Sequence, residues 1–93
     1  MDSYPHHAIP IRSKLEMLND IAYIIRYLHD GARGKANPFM DDLKTRASFL
    51  EEKVQQDVLM FCQEVCFQYD YDPWHKITPE IQKAADKLIA DLE

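Results

Sequence analysis

Backbone breakers are scarce in this 93-residue sequence, and those present are crowded together. The two glycines, Gly31 and Gly34, share one short segment, and the five prolines lie at 5, 10, 38, 73 and 79. Two long stretches contain neither, which argues against a fold of short strands joined by tight turns. No stretch alternates apolar and polar residues with a period of two, and no internal repeat or low-complexity tract is visible. An apolar run of the roughly 20 residues that a membrane crossing requires is also missing, because the richest segment, Val58 to Phe67, is interrupted by Gln63 and Glu64. Residues 1–8, MDSYPHHA, lack the basic start and apolar run of a signal peptide, so a cytoplasmic protein is expected.

Cysteine is nearly absent too. Cys62 and Cys66, four apart on an expected helix, are too few for a disulfide framework and wrongly placed for a bond to each other. Positive charge is in short supply: 11 basic against 16 acidic residues give a net charge of −5, with the acid concentrated in the middle third. That balance disfavours direct binding to nucleic acid, which needs a clustered basic face.

What the sequence does contain is helical periodicity. Ser13 and Glu16 have the spacing of a capping box, and Leu15, Leu18, Ile21, Ala22, Ile25 and Leu28 follow at threes and fours, predicting a first helix over about 13–30 that Gly31 ends. Asn37-Pro38 reads as an N-cap and first helical residue. From there Leu43, Ala47, Leu50, Val54, Val58, Phe61 and Val65 form one unbroken stripe, predicting a single helix over 38–69, about 45 Å long. Thr78-Pro79 repeats the cap-then-proline logic and opens a helix over 79–92, with Ile81, Ala84, Ala85, Leu88, Ile89 and Leu92 on one face. The expected fold is all-α: an extended arm over 1–12 and one domain over 13–93, a three-helix protein with a long central helix and helices 1 and 3 packed antiparallel along it. The central helix carries more apolar surface than one neighbour can cover, so a homodimer through it is expected.

Candidate chemistry is thin. Cys62 and Cys66 offer half of a zinc site, with His75 the nearest further ligand, but the spacing is not that of a zinc finger, and two buried thiols acting as small hydrophobes explain it better. His6-His7 lacks fixed geometry, and Asp70-Tyr71-Asp72 fails as a calcium loop because Trp74 takes a ligand position and Ile81 stands where the closing glutamate belongs. Arg26, Arg33, Lys35 and Lys14 read as a solvated basic face sooner than as an anion site. No nucleophile has a base beside it, and no carboxylate pair stands in a setting that obviously raises a pKa. Catalytic, cofactor and metal sites are therefore not expected.

The remaining candidates are apolar or aromatic: Phe49, Leu59, Met60, Cys62, Cys66 and Phe67 on the central helix, and Tyr69, Tyr71 and Trp74 at its end, a mixture that protein interfaces favour. They point to a non-enzymatic regulator or adaptor that binds another protein, with inhibition of a transcription regulator or an enzyme as one expected mode of action. Two other classes compete. A small dimeric helical enzyme with a site between subunits needs converging arginines, and only Arg26 and Arg46 lie in the expected helices. An acidic nucleic-acid mimic needs more than −5, and Lys44, Arg46 and Lys53 interrupt the acids as ordinary helical pairs do.

Overall fold

The computed structural model of the chain describes residues 11–71 and 77–93, the side chains of 69–71 excepted. The expected arm up to residue 10 and the turn containing Trp74 lie outside the described residues. Those described form an all-α fold of four helices, not three: α1 (Ile11–His29), α2 (Arg33–Ala47), α3 (Glu52–Tyr71) and α4 (Pro79–Leu92). Among them no helix is long and apolar enough to cross a membrane.

Helix ends follow local chemistry. Gly31 has a φ of 74°, and the amides of Gly31 and Ala32 bond back to the carbonyls of Leu28 (3.1 Å) and Tyr27 (2.7 Å), a Schellman closure of α1 that only a residue at ease in the left-handed region favours. Thr78 caps α4 as expected, its hydroxyl accepting from the Ile81 amide at 3.2 Å. At the other end of α1 the helix already begins at Ile11, so Ser13 lies inside it, and the Glu16 carboxylate turns to Arg46 and Arg12 rather than forming a capping box. α2 likewise starts before the expected Asn37-Pro38 cap. Pro38 sits in its second turn, where its φ suits a helix but its missing N–H leaves the Gly34 carbonyl without the usual donor.

The expected helix over 38–69 is broken at residues 48–51, and this changes the architecture. Ser48 still bonds to Lys44 O (3.1 Å) and also to Thr45 O (3.3 Å). The Phe49 and Leu50 amides then reach only three residues back, to Arg46 O (3.4 Å) and Ala47 O (2.9 Å). Glu51 O accepts from Val54 and Gln55 to start α3, while the Gln55 side chain donates to Leu50 O (2.7 Å) and the Ser48 hydroxyl to Thr45 O (2.6 Å). The link thus satisfies its own backbone without glycine or proline. What pulls it closed is burial, since a straight helix would leave much of its stripe wet, whereas folding back lets α2 and α3 cover each other.

The result is an up-down-up-down bundle. Arg33 at the start of α2 meets Cys66 near the end of α3, so these helices are antiparallel and cannot be one rod. Glu16 early in α1 pairs with Arg46 late in α2, and Lys53 early in α3 pairs with Asp91 late in α4. Lys14 donates to the Glu93 carbonyl (3.2 Å), which ties α1 to the end of α4. Each helix packs on the next, α4 closes the ring on α1, and among the described residues the backbones of the diagonal pairs α1–α3 and α2–α4 do not approach closely, although all four helices share one core.

No repeat shows in residue identity, yet the buried positions repeat. α1 buries Met17, Asp20, Ile21, Ile24 and Leu28, and α3 buries Val54, Asp57, Val58, Phe61 and Val65 at the same spacings, with Cys62 in addition. α2 buries Ala36, Met40, Leu43 and Ala47, and α4 buries Ile81, Ala85, Leu88 and Leu92, again at the same spacings. The molecule is two matching helical hairpins, α1–α2 and α3–α4, joined by the link at 48–51.

Candidate functional site

Matching positions in the two hairpins carry opposite charges. Asp20 and Asp57 occupy equivalent sites, each on the apolar stripe of the first helix of its hairpin. Across from Asp57 stand Lys87 (3.4 Å) and Asp91, with Lys53 one turn earlier (3.6 Å), so that two acids meet two bases. In the first hairpin the positions of Lys87, Asp91 and Lys53 are taken by Asp42, Arg46 and Glu16, so three acids share one guanidinium, with Arg46 Nε on Asp42 at 2.8 Å and Nη2 on Glu16.

The acid–base behaviour follows from that inversion. Asp20 is only 6% exposed, and its pKa is pushed up to about 7 by burial first and by the hydrogen bond and charge of Asp42 next, Arg46 opposing only in part. Asp42 moves down, held by the hydrogen bond from Asp20 and by Arg46. Ionised, the Asp20 Oδ2 is buried without a donor; protonated, Asp20 gives its proton to the hydrogen bond with Asp42. Burial pushes Asp57 up as well, but the hydrogen bond from Asp91 and the ammonium of Lys87 outweigh it and its pKa falls. Asp91, hydrogen-bonded to Asp57, moves up in turn, through burial first and that bond next. Contrary to the expectation, two carboxylate pairs therefore stand where a pKa is raised, Asp20 with Asp42 and Asp91 with Asp57. Their signal in the sequence was an aspartate on each apolar stripe, at a phase reserved for Ile and Val. Buried beneath Asp42, Asp20 has the setting of a structural group that titrates, not of one that reaches a substrate.

The predicted interface residues separate into three groups. Leu59, Met60 and Phe67 are 48%, 55% and 70% exposed and fall, with exposed Gln63, on one outward ridge of α3. Met60 leans toward α4, beside Glu80, Lys83 and Lys87, while Leu59 leans toward α2, beside Lys44 and Ala47. Phe49, 83% exposed, stands apart on the link, at the end of the bundle where α1 begins and where Ile11 and Leu15 are also exposed. Cys62 corrects the expectation, since it is buried in the core. Burial pushes its thiol up to about 11, so it stays protonated and acts as a small hydrophobe. Cys66 is partly buried and accepts from Arg33 Nη2 at 3.1 Å. Tyr69 and Tyr71 close α3, but their side chains, like Trp74, lie outside the described residues.

An aromatic cluster went unforeseen. Tyr23 and Tyr27, one turn apart on α1, both meet Phe39 of α2, Tyr23 stacked at a centroid distance of 5.0 Å and Tyr27 tilted at 5.7 Å. Among the described residues no group of three or more His, Cys, Asp or Glu side chains is placed to hold a metal ion. Comparison with protein-family models, with curated proteins and with solved structures finds no match to the chain.

Proposed function

We propose that this chain is a non-enzymatic regulator or adaptor that binds another protein across the outward ridge of α3. The observation that supports this reading is the ridge itself. Three large apolar side chains, Leu59, Met60 and Phe67, are spaced at helical intervals on a helix whose other apolar face is already buried. Flanking Glu64, Lys83 and Lys87 supply the charged rim that surrounds the apolar centre of most interfaces. Burying such a strip against a partner helix or groove removes apolar surface from water without disturbing the bundle.

The test is a photo-cross-linking residue in place of Gln63, exposed at the centre of the ridge, used in extracts of the source cell. A discrete partner captured by the parent protein and lost in Leu59→Asp with Phe67→Asp, while circular dichroism is unchanged, supports the reading. Capture that ignores these substitutions overturns it. If the captured partner is a second copy, the ridge serves the expected homodimer.

A further inference from the structure

We infer that the chain also forms a hairpin-exchanged dimer, in which the link at 48–51 straightens and the α3–α4 hairpin of each copy packs on the α1–α2 hairpin of the other. Three independent observations lead there, and none uses the ridge of α3.

The first is the link. Ser48 already has helical angles (φ −62°, ψ −18°), and no non-glycine residue among those described has a positive φ. Phe49, Leu50 and Glu51 are ordinary helix-compatible residues, and nothing like the Gly31 closure blocks propagation from Ala47 into Glu52. The second is the stripe. Leu43, Ala47, Leu50, Val54 and Val58 keep helical spacing across the link, so one helix over 33–71, about 58 Å long, retains a single apolar face. Every contact between the two hairpins, including Arg33 with Cys66 and Lys14 with Glu93, can then be remade between chains. Exchange costs little when the interface recovered is the one given up.

The third is the end of the bundle where the link sits. Ile11, Leu15 and Phe49 are exposed there, and Ser13, Arg46 and Leu50 border the same hollow. In the exchanged dimer the two bundles are joined at this end, so these side chains, wet in the closed monomer, face the other bundle. A second copy is therefore the occupant that fits this surface.

The experiment uses the full chain with Arg33→Cys, leaving Cys66 as the second anchor and Cys62 shielded in the core. The protein is concentrated, held at the foot of its thermal transition, cooled and separated by size. A short bis-maleimide is then applied to each fraction under denaturing-gel readout. The expected result is an intrachain cross-link in the monomer fraction and a covalent dimer in the dimer fraction, because Arg33 then faces the partner's Cys66. In an unlabelled parent background, Phe49→Gly should lower the association constant at least about tenfold by weakening two continuous helices. Leu59→Asp with Phe67→Asp should leave it unchanged. A dimer giving only intrachain cross-links, a dimer lost with the ridge substitutions, or no dimer up to the solubility limit would overturn the inference.

Discussion

Asp20 and Asp57 are both largely buried and hold the same place on their helices, yet they titrate in opposite directions, because burial and Asp42 raise Asp20 whereas the hydrogen bonds from Asp91 and Lys87 outweigh burial at Asp57. A carboxylate whose folded pKa lies above its unfolded value favours the fold fully below the unfolded pKa and ceases to do so as pH rises through the folded one. For Asp20 that window runs from about 4 to about 7. Thermal stability should therefore fall between pH 5 and pH 8. Asp20→Asn, which resembles the protonated acid and can still donate to Asp42, should flatten that slope and raise Tm at pH 8 by roughly 4–8 °C, about 1 kcal/mol. Parallel melts of the two proteins at pH 5 and pH 8 check this, and equal slopes would show that Asp20 is ionised throughout. The two glycines form a second contrast. Neither has an atom within 4 Å of an added Cβ, so only the backbone decides. Gly31→Ala forces alanine to a φ of 74° and should cost about 1 kcal/mol, whereas Gly34→Ala, within α2, should gain about 0.5–1 kcal/mol. Urea titrations that move the two variants in the same direction would refute this.

At the scale of elements, α2 holds both helix-disfavouring residues, Gly34 and Pro38, within its first two turns. Pro38→Ala restores a donor for the Gly34 carbonyl and should stabilise the protein by about 1 kcal/mol or more, with slower hydrogen exchange in the first half of α2 as the specific sign. Helix type, the Gly31 stop and the Thr78 cap were legible in the sequence, because each depends on residues within one turn of it. The link was not. Its four residues take up about one helical turn, so Ala47 and Val54 keep the spacing they would have in a continuous helix and the stripe gives no sign that the chain has reversed. Breaking there is decided by the burial of α2 against α3, a tertiary gain that local propensity cannot report. The ridge was half legible: surplus apolar residues marked Leu59, Met60 and Phe67 as outward, but the same logic put Cys62 with them, when its neighbour Phe61 carries it into the core. Asp20 escaped notice because an acid on an apolar stripe announces itself only when its facing residue is known.

For the whole molecule, the equivalence of the hairpins sets how it unfolds. The α1–α2 hairpin spans residues 11–47 and the α3–α4 hairpin 52–92, both close to the roughly 40 residues below which a chain seldom folds without a staple, so neither hairpin can hold its own core dry. Each must complete the other through the α2–α3 and α1–α4 seams. Removing core from one hairpin should then weaken both. Phe61 is the largest fully buried side chain among the described residues, and Phe61→Ala in α3 should cost about 3–5 kcal/mol, a large part of the stability of so small a domain. If the hairpins are one cooperative unit, native-state hydrogen exchange in α1, diagonal to α3 in the bundle, will speed up by the same factor as in α4, and the melt will remain a single transition. If α1 keeps its protection while α4 loses it, the hairpins fold separately, and the seams between them are too weak to explain why the link stays closed.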